Sequence, residues 1–241
     1  MKIYGVHPVE EVLETARDQV LSVTSARWDA VEMKAVRELC DRHGFKLQVA
    51  SKETLDEWTD GGRHQGVVAE LTTFHYASLE EVLNGVGERT SACILVLDQI
   101  QDPQNLGSIL RTASGMGVEA VLIPKDRAAE ITPTVIRASA GCAFRVPIVQ
   151  VVNIARVLET LKEAGFWTVG TFMDSKDSLW DVDLRMKTAI VMGGEHKGIR
   201  PLVERGCDFR VQIPLADGVE SLNVATAAAI LLYEFKRQNS Q

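Results

Sequence analysis

The last quarter of the chain, from Thr188 to Arg237, limits the fold more than any other stretch. It opens with an unbroken apolar run, Ala189-Ile190-Val191-Met192, of the kind that strands buried on both faces of a parallel sheet carry. The run stops at Gly193-Gly194-Glu195, and Gly198-Ile199-Arg200-Pro201 follows. A second strand is expected from Phe209 to Leu215, cut off by Pro214. Gly218 and Ser221-Leu222-Asn223 then lead into a helix from about Val224 to Arg237. Both strands end in loops whose glycines let a ligand approach the backbone closely. Ligands of open α/β sheets bind at the carboxyl ends of strands, so two such loops predict a pocket of backbone N–H and C=O groups.

Upstream of this region, strand and helix patterns alternate from Ala92 onward. Strands are expected at 93–97, 118–123, 145–151 and 166–172, with helical patterns between them. Together with the two C-terminal strands they predict a six-stranded, mostly parallel sheet. The helix after the first of these strands places Leu106, Ile109, Leu110 and Ala113 in one stripe. Arg111 falls about 140° round from Leu106, away from the core face. A dinucleotide-binding enzyme would carry Gly-x-Gly-x-x-Gly directly after its first strand. Here the loop after Leu97 reads Asp98-Gln99-Ile100-Gln101-Asp102-Pro103, with no glycine before Gly107. The glycine-rich loops stand at the other end of the domain.

The first 74 residues read as a small α/β unit. A helix is expected from Pro8 to about Ala16, a strand at 20–23, a helix at 33–43 closed by Gly44, and a strand at 45–49. A short helix at 52–58 and a strand at 67–71 flank the loop Gly61-Gly62-Arg63-His64-Gln65-Gly66. Residues 78–83 suit a short helix, whereas 84–91 lack periodicity and read as a linker. The expected organisation is therefore a domain at 1–74, a linker at 75–91 and a larger domain at 92–241.

Charge argues against a nucleic-acid partner. The formal net charge is −7, with 9 Lys/Arg against 13 Asp/Glu in residues 1–74 and 16 against 17 in residues 92–241. Any RNA surface must be a local basic patch. Cys40, Cys93, Cys142 and Cys207 lie far apart without metal spacing, which predicts free thiols, no metal and a reducing, cytoplasmic setting. No apolar run approaches the ~18 residues of a membrane span, and the first residues lack a signal-peptide pattern.

Three stretches carry a family resemblance. GGEHKGIRPLV at 193–203, IPLADGVESLNVATAAAILLYE at 213–234, and Asn105 followed six residues later by Arg111-Thr112 resemble the motifs of the SpoU/TrmH family of RNA 2′-O-ribose methyltransferases. His196 stands where glycine is common in the family, and Ala225 where serine often follows. The resemblance implies the SPOUT fold with a deep trefoil knot, and transfer of a methyl group from S-adenosylmethionine to a ribose 2′-hydroxyl without a metal. It implies that Gly193, Ile213 and Leu222 hold the cofactor, and that Asn105, Arg111, Glu195, Ser221 and Asn223 form the polar active site. Arg111 is then a general base or a phosphate clamp, and a guanidinium with a pKa above about 12 favours the clamp. Ser221 or Asn223 also suits the cap of the last helix. That helix is apolar around its circumference, in keeping with the homodimer the family forms through its catalytic domain.

The opening Tyr4–Val9 stretch and the loop at 61–66 resemble the substrate-binding domain that many family members carry, whose fold is shared with RNA-binding ribosomal proteins. Arg63, His64 and Gln65 are the RNA contacts this implies. The full-length resemblance, small domain plus larger domain, is strongest to a bacterial member that methylates a guanosine of large-subunit ribosomal RNA in the peptidyl-transferase region, and it implies that substrate. A methylase of tRNA or of another ribosomal site shares the same catalytic motifs. A non-catalytic RNA-binding or ribosome-assembly protein is the alternative of another class.

Overall fold

The computed structural model describes residues 1–195 and 198–240; His196 and Lys197 of the glycine-rich motif, and Gln241, lie outside the described residues. The chain forms two compact units. One holds Met1–His75 together with Ile131–Arg145, and the other Tyr76–Glu130 with the chain from Val146 onward.

The smaller unit contains β1 (Lys2–Tyr4), α1 (Val6–Thr15), β2 (Val20–Ser25), α2 (Lys34–His43), β3 (Leu47–Val49), α3 (Lys52–Trp58) and β4 (Val67–Leu71). Its sheet has the order β1-β4-β2-β3, with only β2 and β3 parallel. The left-handed Gly44 ends α2, as its position predicts. β1 escapes sequence patterning because three residues are too few to show a period. It is held by pairing with β4 and by the N-terminal amine, which donates to the Leu71 carbonyl at 2.7 Å.

The larger unit begins with α4 (Leu79–Val86) and continues through β5 (Ala92–Asp98), α5 (Pro103–Met116) and β6 (Ala120–Pro124). The next helix, α6 (Pro133–Ala138), lies in the segment that joins the smaller unit. The larger unit resumes with β7 (Ile148–Val151), α7 (Ile154–Glu163), β8 (Trp167–Thr171), β9 (Lys187–Gly193), α8 (Pro201–Glu204), β10 (Phe209–Val211) and α9 (Val224–Gln238). Its six strands are all parallel, in the order β10-β8-β9-β5-β6-β7. β5 is buried along its whole length, as expected for a central strand covered on both faces.

Two expectations about organisation need correction. Residues 84–86 are not linker: Ser78 caps α4 in a capping box with Glu81, and Val82 and Val86 sit in the core beside Ile94 and Ala120. Burial of two valines on one helical face outweighs the breaker Gly85. Residues 131–145, assigned by sequence order to the domain at 92–241, pack in the smaller unit. Arg137 donates to the Tyr4 hydroxyl at 2.5 Å and stacks over its ring, while Arg145 pairs with Glu11 at 2.5 Å and Glu14 at 3.4 Å.

The four cysteines are free. Burial pushes the Cys40 thiol up to about 11 and Cys207 to about 12, and raises Cys93 further still. These thiols are packing groups and poor nucleophiles.

Candidate active site

The larger sheet reverses its order between β5 and β9. From β5 the chain passes through α5 to β6 on one side; from β9 it passes through α8 toward β10 on the other. The two departing loops part, and the crevice between them is where such sheets bind ligands. Asp98 and Gly193 stand opposite one another at that end.

Asp98 is wholly buried. Its carboxylate accepts from the Arg200 backbone N–H at 2.9 Å and from Arg200 Nε at 2.8 Å, and pairs with Nη2 at 2.7 Å. A lone carboxylate at this depth would be costly, so this pairing pins the loop after β9 to the end of β5. The glycines allow the approach. A Cβ on Gly193 would overlap the backbone of Gly198 and Ile199, and one on Gly194 would lie 2.5 Å from the Gln99 carbonyl oxygen. Gly198, at φ +60°, donates its N–H to the Gly194 carbonyl at 3.0 Å. Nothing in the sequence pattern singled out the Asp98–Arg200 pair; a carboxylate ending a wholly apolar strand was the available signal.

Three predicted residues meet beside this loop. Asn105, in the first turn of α5, donates from Nδ2 to Glu195 Oε1 at 2.5 Å. Asn223 donates from Nδ2 to Asn105 Oδ1 at 2.9 Å, across 118 positions of sequence. Asn223 Oδ1 accepts from the Ala225 N–H at 2.9 Å and from the Thr226 N–H, so the same side chain caps α9. The result is a directional chain, Asn223 to Asn105 to Glu195, that fixes which face of each amide is free.

The other predicted residues stand around that chain. Arg111 is exposed on α5, about 120° round and about 9 Å along the axis from Asn105. It has no hydrogen bond or ion pair among the described residues, whereas Leu106, Ile109, Leu110 and Ala113 are buried as their stripe predicts. Ser221 is exposed and bonds to none of the described residues; the cap belongs to Asn223. Ile213 and Leu222 are half-buried, at the two ends of an exposed segment, 214–221. Next to the cluster lies a cleft of about 460 Å³, walled by Gln99 and Gln101 after β5, Arg127 after β6, and Gly194, Glu195 and Arg200 after β9. Gln99, Gln101 and Arg127 carried no sequence signal, since single polar residues in loops have no period. Among the described residues no group of His, Cys, Asp and Glu is placed to hold a metal, and no helix is long and apolar enough to cross a membrane.

In the smaller unit the loop at 61–66 is locked. His64, 6% exposed, accepts at Nδ1 from the Gly66 N–H at 3.0 Å, which leaves Nε2 to donate to Asp56 Oδ1 at 3.0 Å. Ser25 Oγ donates to the Gly66 carbonyl at 2.7 Å, and a Cβ on Gly62 would overlap the Tyr4 ring. The expectation that His64 faces RNA is therefore corrected: both ring nitrogens are used to hold the loop. Arg63 and Gln65 remain at the surface, and Gln65 also accepts from the Val6 N–H at 3.2 Å. Arg27, exposed and packed against Gly66, joins them without having been foreseen.

Comparisons with known proteins cover both parts of the chain. Residues 2–77 match the domain described as RNA 2′-O ribose methyltransferase substrate binding. The chain is 40% identical over 245 residues to the 23S rRNA (guanosine-2′-O-)-methyltransferase RlmB of Pseudomonas aeruginosa, covering 99% of this chain and 97% of that protein. It is 36% identical over 240 residues to RlmB of Escherichia coli K12, with 99% and 98% covered. The SpoU methyltransferase AviRb from Streptomyces viridochromogenes, solved in complex with the cofactor AdoMet, superposes with a TM-score of 0.83 at 25% identity, over 100% of this chain and 90% of that one. Residues 92–233, which contain the Asn223–Asn105–Glu195 chain and the pinned glycine loop, match the SpoU rRNA methylase family, and to that family the chain belongs.

Proposed function

We propose that the protein transfers a methyl group from S-adenosylmethionine to the 2′-hydroxyl of a guanosine in 23S ribosomal RNA. The observation that carries this reading is the Asn223–Asn105–Glu195 chain, which draws one polar cluster from three distant stretches. Full-length similarity to RlmB supports the substrate. The residues assigned to the cofactor suit an adenosyl group. Ile213 and Leu222 present half-buried apolar surface, and Gly193 and Gly194, with no side chain, keep the backbone at the open end of the sheet close to its neighbours. S-adenosylmethionine supplies a methyl carbon already activated by a sulfonium.

The protein must then orient the hydroxyl and take its proton. Glu195 is the carboxylate of the cluster, and Asn105 holds its Oε1, so we assign Glu195 the proton through its other oxygen. Arg111, permanently charged and unpaired among the described residues, suits a phosphate beside the reacting ribose. Ser221 and Asn223 line the approach. The knotted path is supported by the passage of residues 198–200 against Gly193 and Asp98. The smaller unit, ribosomal-protein-like in our reading, selects RNA through Arg63, Gln65 and Arg27. A homodimer in the cytoplasm completes the assignment; the exposed Ile230 and Tyr233 of α9 support the dimer.

Mapping ribose methylation in ribosomal RNA with and without the gene tests the substrate: one guanosine of 23S RNA, in the peptidyl-transferase region, should lose its mark. A mark lost from tRNA would move the substrate. Glu195→Gln keeps an acceptor for Asn105 but removes the charge, and Arg111→Ala removes the clamp. Each should cut methyl transfer at least ~10²-fold with cofactor affinity intact. Full activity in either variant would dismiss that residue's role.

A further inference from the structure

The cleft beside the polar cluster has features the methyl transfer does not use. Gln99 and Arg127 both hold left-handed backbone, at φ 67° and 60°, although neither is glycine. Such conformations persist where surrounding structure over-determines them, and they gather at binding sites. Here the determinants are visible. Ile100, buried between Gln99 and Gln101, accepts at its carbonyl from the Ala129 N–H at 2.8 Å, which ties the loop after β5 to the loop after β6. Gly194 closes from the third side against the Gln99 carbonyl. The cleft is thus built by backbone contacts before any ligand arrives.

Its side chains suit an anion beside a polar group. The Arg127 guanidinium is exposed and has no partner among the described residues. Arg200, its side chain 40% exposed, spends Nε and Nη2 on the buried Asp98, which fixes the guanidinium and leaves Nη1 without a partner among the described residues. Gln99 and Gln101 add amides able to donate and accept. Glu195 closes the wall on the side of the polar cluster, so the cleft opens beside the residues assigned to the reacting ribose. A volume of about 460 Å³ lies within the usual range for small-ligand sites.

We propose that this cleft is a second RNA subsite, which seats a phosphodiester of the substrate strand next to the methylated nucleotide. Its phosphate sits on Arg127 and Nη1 of Arg200, within reach of the amides of Gln99 and Gln101. The inference rests on the reading of this protein as an RNA methyltransferase and adds the residues that position the strand. Gln99, Gln101 and Arg127 are positioning residues, since none belongs to the cluster assigned to the chemistry.

The test uses the full chain, 23S RNA fragments and four proteins: wild type, Arg127→Ala, Arg127→Lys and Lys125→Ala. Lys125 is an exposed cation two residues away that does not line the cleft. Arg127→Ala should raise KM for RNA about 10-fold while kcat at saturating RNA and cofactor affinity stay at wild-type values, the pattern of lost uniform binding. The slope of log binding constant against log salt, measured without cofactor, should shrink by about 0.7, the loss of one single-strand phosphate contact. Arg127→Lys should keep the slope, and Lys125→Ala should keep both slope and KM. An unchanged slope in Arg127→Ala, or an equal loss in Lys125→Ala, overturns the subsite. Loss of cofactor affinity in Arg127→Ala overturns it too, since the cleft would then belong to the cofactor. A wild-type protein that binds RNA but transfers no methyl group would refute the functional reading, and the salt slopes would still decide the subsite.

Discussion

Asn223 does two jobs with one amide: Oδ1 caps α9 and Nδ2 holds Asn105. The two can be separated. Asn223→Asp keeps an equally good cap, so unfolding free energy in urea should change by less than about 0.5 kcal/mol. It cannot donate to Asn105, so methyl transfer should fall at least ~10²-fold. Asn223→Ala loses both and should also cost about 1 kcal/mol of stability. An Asn223→Asp protein with normal turnover would show that the hydrogen-bonded chain is ornamental. His64 teaches the converse lesson. In sequence it is a polar residue between glycines, indistinguishable from a ligand contact. Its burial and its two partners, Asp56 and Gly66, make it the fastener that lets Arg63 stand outward.

Among elements, β9 and α9 show how far local pattern reaches. The apolar run at 189–192 foretold a buried strand, and it pairs on both sides with β5 and β8. The same pattern could not say why glycine follows. Gly193 is required by the backbone of Gly198 and Ile199, so a valine there would displace the loop and would not report on cofactor contact alone. For α9, composition suggested burial on several sides. Within one chain, Val224, Ala228, Leu231, Leu232 and Phe235 are buried, whereas Ile230 is 36% and Tyr233 58% exposed. Two large apolar groups on the same exposed stripe fit a second copy. The full chain should sediment as a dimer at micromolar concentration, and Ile230→Asp with Tyr233→Asp should sediment as a folded monomer. A wild-type monomer, or a double variant that still dimerises, would place the contact elsewhere or remove it.

Over the whole molecule, the segment Ile131–Arg145 changes how the two units can be tested. It packs with Tyr4, Glu11 and Glu14, so removing residues 1–74 would strip Arg137 and Arg145 of their partners and damage what remains. Surface changes are the cleaner probe. Arg27→Ala, Arg63→Ala and Gln65→Ala together should weaken binding of ribosomal RNA about 10-fold or more in a gel shift while cofactor affinity stays unchanged; undiminished binding would leave RNA selection to the larger unit. The periods of the apolar residues were enough for a mostly parallel α/β sheet, and the three motifs were enough for the family, because burial and motif chemistry both act through residue type at fixed spacing. Tertiary structure alone settled which polar atoms meet. The Asn223–Asn105–Glu195 chain, the Arg200 clamp on Asp98, the inward turn of His64 and the cleft at Arg127 all join residues distant in sequence, and a hydrogen bond depends on distances and angles that no one-dimensional pattern encodes.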